Sequence, residues 1–133
     1  MLAIVTGGAT DVGRRATQAL VSHGYAVVVV YLDDQTRAEE AVEEILSAGG
    51  TAVAVRADLG DDLDVERLFT EAIAVFGVVD VVVDTTAGEI TPALAHQVRK
   101  RGVTLIEFAA GLEIGGADAA AVRLISILDG RPR

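Results

Sequence analysis

Cysteine is absent from all 133 residues, which excludes disulfides, thiolate catalysis and cysteine-ligated zinc together. Aromatic side chains make up 4% of a chain that is 51% hydrophobic, so its core has to be assembled from Val, Ala, Leu and Ile. Basic residues are scarce: 11 Lys and Arg face 20 Asp and Glu, and a net charge of −9 repels a phosphate backbone. Nucleic acid is therefore not an expected partner. The longest aliphatic run, Ala26 to Val30, is far too short to span a bilayer, and the N-terminus opens on a strand where a signal sequence has a basic region. A cytoplasmic protein with no membrane partner is the expectation, and the length suits one domain with a real core.

What the chain does carry is a glycine-rich turn, Thr6-Gly7-Gly8-Ala9-Thr10-Asp11-Val12-Gly13-Arg14, placed between the apolar strand Leu2 to Val5 and a helix. A turn of this kind lets the backbone approach a phosphate, and the first helical N–H groups then point at the anion. The helix shows Val12, Ala16, Ala19 and Leu20 at helical spacing and stops near Gly24. The β-branched run Ala26 to Val30 has the pattern of a strand buried on both faces of a parallel sheet.

The alternation continues in order. A helix with the stripe Ala38, Ala41, Val42, Ile45 and Leu46 ends at Gly49-Gly50, and a strand follows over Thr51 to Val55. Asp61 or Asp62 caps a third helix whose stripe is Val65, Leu68, Phe69, Ala72, Ile73 and Phe76, stopped by Gly77. Strand four covers Val79 to Val83 and ends in Asp84; then come a helix near Pro92 to Arg101, a strand over Val103 to Phe108, a loose stretch Gly111 to Gly116 and a helix near Asp118 to Leu128. Strict β-α alternation predicts an α/β doubly wound, Rossmann-like parallel sheet of about five strands with helices on both faces.

Several spaced features together make the chain, up to about residue 90, resemble the N-terminal half of a short-chain dehydrogenase/reductase, closest to the branch that reduces carrier-bound β-ketoacyl groups. Thr6-Gly7-x-x-x-Asp11-Val12-Gly13 resembles the family's T-G-x-x-x-G-x-G. Ala48 to Val55 resembles its helix-to-strand passage, Asp58-Leu59 the acidic pair whose Asp contacts adenine, and Phe76-Gly77-x-Val79-Asp80 the approach to strand four. The resemblance implies a cofactor site of Thr6, Gly7, Gly8, Asp11, Val12, Gly13, Tyr31, Asp58 and Leu59, taking NAD or NADP.

Further on the resemblance is fragmentary. Ala95 to Gly111 looks like the family's late helix and strand six, and Ala119 to Ile125 like the helix before its C-terminal tail. The stretch between them, which carries the strand-five Ser and the Tyr-x-x-x-Lys helix, is missing, so residues 1–133 are expected to form a single truncated domain. The only tyrosines are Tyr25 and Tyr31, the only lysine is Lys100, and there is no Asn for the family's N-N-A-G; Asp84-Thr85-Thr86-Ala87-Gly88 stands there, one residue longer. Hydride transfer by the usual mechanism needs a phenol of lowered pKa held by a lysine. No such pair is present.

Two departures bear on cofactor binding. Asp11 occupies the place of the family's middle glycine; like charges about 4 Å apart at an effective dielectric near 20 repel by roughly 4 kcal/mol, and Asp11 is expected to cap its own helix in place of a ligand. Arg14 or Arg15 is near enough in sequence to neutralise it. Tyr31 stands where NAD-preferring relatives have a ribose-binding acid, yet no Arg or Lys directly follows to hold a 2′-phosphate, and Asp33 and Asp34 repel one. Charge thus favours NAD over NADP, and the alternative that no cofactor binds stays open.

Other chemistry is thin. Asp84, with Glu89 and Glu113 on following loops, offers a weak general acid or base. His23 and His96 lack a second ligand at helical spacing, so no metal site is expected, and Ser22, Ser47 and Ser126 lie near helix ends, not in a strand-to-helix elbow. Three readings remain. One is a non-catalytic scaffold or partner subunit, whose missing helices leave apolar surface at the last strand for self-association or a covering partner. Another is an NAD(P)-binding protein whose redox site is completed by a second chain. The last is a non-redox enzyme using Asp84.

Overall fold

The computed structural model describes residues 1–7, 11–85, 90–107, 124 and 126–128, with Asp11 described by its backbone alone. Along them run β1 (Leu2–Thr6), α1 (Asp11–Ser22), β2 (Ala26–Tyr31), α2 (Gln35–Ser47), β3 (Ala52–Arg56), α3 (Asp62–Phe76), β4 (Val81–Asp84), α4 (Pro92–Arg101) and β5 (Thr104–Glu107). The five strands pair in parallel in the order β3-β2-β1-β4-β5. This is the doubly wound, Rossmann-like arrangement that the alternation predicts.

Each strand sends alternate side chains to opposite faces, and both faces are covered. On one face Ala3, Val5, Val27, Val29, Val81 and Val83 pack with Ala16, Ala19 and Leu20 of α1, Ala38 and Ile45 of α2, and Leu124 and Leu128. On the other, Leu2, Ile4, Val28, Val30 and Val82 meet Val65, Leu68, Phe69 and Ala72 of α3 and Ala93, Leu94 and Val98 of α4. Two-sided burial is why β1 and β2 are continuous aliphatic runs with no polar alternation. Phe69 is fully buried, and the Arg101 guanidinium lies over its ring at 5.4 Å while donating to Gln97 Oε1 at 2.8 Å.

Helix ends follow the chemistry of their sequences. Asp34 caps α2 by accepting from the Arg37 N–H, and Asp61 caps α3 by accepting from the N–H groups of Leu63 and Asp64. At α4 the Thr91 hydroxyl accepts from the Leu94 N–H, Pro92 opens the helix, and Gly102 closes it with φ +66, a left-handed conformation that a Cβ disfavours.

Boundaries move by one or two residues at each strand: β1 runs on to Thr6 and β2 to Tyr31. The β3 ladder starts at Ala52, not Thr51, and β4 starts at Val81, not Val79, because the Asp80 carboxylate takes the Leu2 N–H at 2.7 Å while the Asp80 N–H donates to the Leu2 carbonyl at 2.9 Å. The last strand is Thr104–Glu107. Of the helix expected near Asp118 to Leu128, residues 124 and 126–128 are described, and they are helical. The stretch Gly111 to Gly116 lies outside the described residues.

The last strand does not leave apolar side chains open among the described residues: Ile106 is buried and Leu105 half-buried, while the exposed members are Thr104 and Glu107. Leu124 and Leu128 join the cluster that holds Ile106, and Val103 and Leu105 pack against the α3–α4 side. Large apolar side chains are exposed elsewhere, at Leu46 on α2 and at Leu63, Val75 and Val78 on and just beyond α3. Among the described residues no helix is long and apolar enough to cross a membrane.

Candidate functional site

The strand order places β2 and β3 on one side of β1 and β4 and β5 on the other. The direction of winding therefore reverses between β1 and β4, and in open parallel sheets ligands bind outside the carboxyl ends of the strands at this point. The ends that meet there are Thr6-Gly7 and Asp84-Thr85, with Thr6 in register with Asp84. Thr6 Oγ1 donates to Asp84 Oδ1 at 2.7 Å, and Thr85 Oγ1 donates to the Thr6 carbonyl at 2.7 Å and reaches the Gly7 carbonyl at 3.3 Å. The Thr85 N–H also donates to the Thr6 carbonyl, at 3.2 Å.

These groups are out of water: Thr6 and Thr85 are 0% exposed and Asp84 is 3% exposed. A carboxylate so placed needs hydrogen-bond donors, and the Thr6 hydroxyl is one of them. Asp84 therefore sits inside the junction of β1 and β4, where its Oδ1 is engaged. Glu89 and Glu113, named beside it as acid or base, lie outside the described residues. Gly7 turns with φ +72, and this left-handed step takes the chain away from β1 toward α1.

Beside this junction is a cavity of about 420 Å³ lined by Gly7, Val30, Tyr31, Leu32, Asp33, Asp34, Ala57, Asp58, Leu59 and Gly60. It gathers the carboxyl ends of β1, β2 and β3, and it brings Gly7, Tyr31, Asp58 and Leu59 together as the sequence pattern implies. Its walls are mainly apolar, with three carboxylates and, among the described residues, no Lys or Arg. Asp34 is occupied as the α2 cap, and Asp58 Oδ1 accepts from the Gly60 N–H at 2.9 Å, which folds the turn after β3. Asp33 is exposed at the rim. The Asp58 N–H donates to Asp64 Oδ2 at 3.0 Å, and this bond, opposed by desolvation and assisted by the Arg67 guanidinium, holds the Asp64 carboxyl below its ordinary value of 3.8. A larger hollow of about 640 Å³ lies on α2 against Glu40, Glu43, Glu44, Ser47 and Ala48. Its acidic, open lining away from the strand ends marks it as helix surface.

The remaining loop residues divide. Asp11, Val12 and Gly13 form the first turn of α1; Asp11 is the first helical residue, and its side chain lies outside the described residues, as does Gly8. Val12 packs against the core, and the Gly13 carbonyl accepts from Thr17 Oγ1 at 2.8 Å. Arg14 forms an ion pair with Glu44 of α2, and Arg15 donates to Gln18 at 3.2 Å; the Asp11 carboxylate that one or the other was expected to neutralise lies outside the described residues. Sequence reasoning missed Thr85, Leu32, Ala57 and Gly60. For Thr85 the only signal is adjacency to Asp84; its role depends on the β1–β4 register.

The residues that could stand in for a Tyr-Lys pair are separated. Tyr31 ends β2 at the cavity, whereas Tyr25 precedes β2 at the opposite end of the sheet, buried and stacked on His23 with ring centroids 6.5 Å apart. Lys100 lies in the last turn of α4, which returns the chain to the amino end of β5. Among the described residues no group of His, Asp and Glu is placed to hold a metal ion.

Comparison with known proteins covers most of this architecture. Residues 1–105 match the family model described as short chain dehydrogenase. A short-chain dehydrogenase/reductase homolog, YusS, of Bacillus subtilis (strain 168) is 38% identical over 86 residues, which are 65% of this chain and 79% of that protein. A hydroxynaphthalene reductase-like protein, Arp2, of Metarhizium guizhouense is 38% identical over 89 residues, 67% of this chain and 33% of its own length, so the chain spans about a third of that relative. Among solved structures, a short chain dehydrogenase from Burkholderia cenocepacia J2315 in complex with NADP superposes with a TM-score of 0.70 at 18% identity, covering 96% of this chain and 64% of that one.

Proposed function

This chain belongs to the short-chain dehydrogenase/reductase family, and we propose that these residues form a nicotinamide-dinucleotide-binding module that favours NAD over NADP and serves as a partner subunit, without hydride transfer of its own. The observation that carries this is the 420 Å³ cavity at the carboxyl ends of β1, β2 and β3, next to the left-handed turn at Gly7.

The lining fits the adenosine half of a dinucleotide. Val30, Leu32, Ala57 and Leu59 offer apolar contact to a flat base, and Asp33 and Asp58 offer acceptors to ribose hydroxyls and amino groups. A 2′-phosphate meets carboxylates and, among the described residues, no cation in that lining, which supports NAD as the better ligand. The phosphates fall to the turn between Gly7 and Gly13 and the first N–H groups of α1. Bound there, the nicotinamide ring supplies the capacity to accept or give a hydride.

The chain's own residues do not supply the accompanying proton. Tyr31 lies on the cavity side without a lysine partner in its segment, and Tyr25 and Lys100 stand toward the other end of the sheet. A second chain completing the site accommodates both the cofactor cavity and this lack, and the exposed Leu63, Val75 and Val78 offer apolar surface for contact with it.

Calorimetric titration with NADH and NADPH tests the reading. Saturable binding below about 1 mM, corresponding to roughly 4 kcal/mol or more, with NADH the tighter ligand and no consumption of NADH in the presence of carbonyl substrates, is expected. No binding of either dinucleotide overturns it.

A further inference from the structure

Several cations of this acidic chain are committed to near neighbours. Arg14 pairs with Glu44, Arg67 with Asp64 and Glu71, and Arg101 lies over Phe69 while donating to Gln97. Arg99 and Lys100 stand apart. Both are exposed, α4 contains no acid to pair with them, and neither side chain has a hydrogen-bond or ion-pair partner among the described residues. The end of α4 does not occupy them either, because the N–H groups of Gly102 and Val103 reach the carbonyls of Arg99 and Val98. With His96, also exposed, they form a stripe at i, i+3 and i+4 on the outer side of the helix.

A stripe of the opposite sign runs along α2. Glu40 and Glu43 are exposed, have no side-chain partner among the described residues, and line the open hollow of about 640 Å³ with Glu44 and Ser47, at i, i+3, i+4 and i+7. The helix α2 joins β2 to β3 and packs on the sheet face that carries α1, whereas α4 joins β4 to β5 and packs on the other face with α3. Within one molecule the sheet separates the two stripes. Between two molecules nothing does.

We propose that a second copy of this chain docks on the α4 face, laying its α2 stripe there so that Arg99 and Lys100 enter the hollow beside Glu40 and Glu43. Complementary charge at matching helical spacing is what selects this occupant. The two surfaces differ, so the contact is heterologous: a dimer leaves one stripe of each sign open, and growth continues into a ring or a chain. Neither stripe lines the adenosine-side cavity, so this contact goes beyond the dinucleotide reading and stands without it. The net charge of −9 on each copy opposes approach, but at an ionic strength of about 0.15 M that repulsion is screened beyond roughly 8 Å, while ion pairs in contact are not. Exposed pairs are each worth a few-fold in affinity, so the expected dissociation constant is weak, on the order of 0.1 mM.

Analytical ultracentrifugation of the full chain, from about 10 μM to about 0.5 mM in roughly 0.15 M NaCl, reads this directly. The weight-average mass is expected to rise to about 1.5 times that of the monomer or more across this range, and to fall back to the monomer in about 1 M NaCl, where screening acts within roughly 3 Å. Two variants separate the surfaces: Arg99→Ala with Lys100→Ala, and Glu40→Ala with Glu43→Ala. All four side chains are exposed, and circular dichroism confirms that both variants are folded. Each alone is expected to stay monomeric. Mixed in equal amounts they are expected to form a 1:1 complex that does not grow, because the mixture holds one intact stripe of each sign on different molecules. A native protein that is monomeric at about 0.5 mM overturns the inference, and so does undiminished self-association in either variant or a mixture that stays monomeric. Titration with NADH decides the dinucleotide reading separately.

Discussion

Thr6 and Asp84, 78 positions apart in sequence, are joined by a buried 2.7 Å hydrogen bond from the threonine hydroxyl to the aspartate carboxylate. The bond links the last residues of β1 and β4, the two strands between which the winding of the sheet reverses. It gives the turn at Gly7 a fixed origin.

Because this contact is buried, removing one partner costs more than the bond's net worth. Thr6→Val takes a donor from the Asp84 carboxylate, and a loss of about 1–3 kcal/mol in urea-unfolding free energy is expected. Thr6→Ser keeps the hydroxyl and restores most of it. A double-mutant cycle with Asp84→Ala should return a coupling of at least about 0.5 kcal/mol; a coupling of zero would show that the two side chains contribute independently.

Gly50 is constrained by packing. A Cβ built there lies 2.5 Å from Val21 Cγ1 and 2.9 Å from Ile45 Cγ2, so the passage from α2 into β3 is pressed against both α1 and α2. Gly50→Ala is expected to destabilise by about 1–3 kcal/mol, read as a lowered urea midpoint at unchanged slope. Stability equal to the native protein would mean that α1 moves away freely.

Asp64 provides a pH signature for the turn that shapes the cavity. The Asp58 N–H is the main cause of its lowered pKa, with desolvation opposing and Arg67 assisting. A depressed carboxyl pKa stabilises the fold above the unfolded value and loses that contribution as pH falls through the lower, folded value. The stability difference between the native protein and Asp64→Asn is thus expected to be constant above about pH 5 and to shrink as the pH drops below 3.8. Urea titrations at a series of pH values measure it; a difference independent of pH in this range counts against the Asp58–Asp64 bond.

Cofactor preference should be reversible at the cavity rim. Asp33 is exposed there in a lining with no cation among the described residues, so Asp33→Arg replaces repulsion of a 2′-phosphate with attraction. A rise of about tenfold or more in affinity for NADPH relative to NADH is expected, measured by fluorescence titration. An unaltered ratio would place the ribose elsewhere.

Much of this site could be read along the chain because its signals are local. Gly7, Tyr31, Asp58 and Leu59 each follow a strand, and in a parallel sheet all strand ends of one polarity lie together; their convergence on one cavity is a consequence of alternation alone. The same locality made the α3 cap legible as Asp61 or Asp62, since a cap bonds within its own first turn. The pairing of Arg14 was not legible. Its partner, Glu44, lies on α2, and which of the nearby acids an arginine meets depends on how two helices dock on one sheet face.

Composition and periodicity by themselves determined the element order, the parallel sheet and the family resemblance, because hydrophobic spacing and glycine punctuation act over a few residues at a time. Tertiary structure alone decided what Asp84 is. In sequence it is a carboxylate at a strand end, open to a role as acid or base. In the folded chain the β1–β4 register sets it against Thr6, and burial obliges its carboxylate to take a hydrogen-bond donor from a strand 78 positions away.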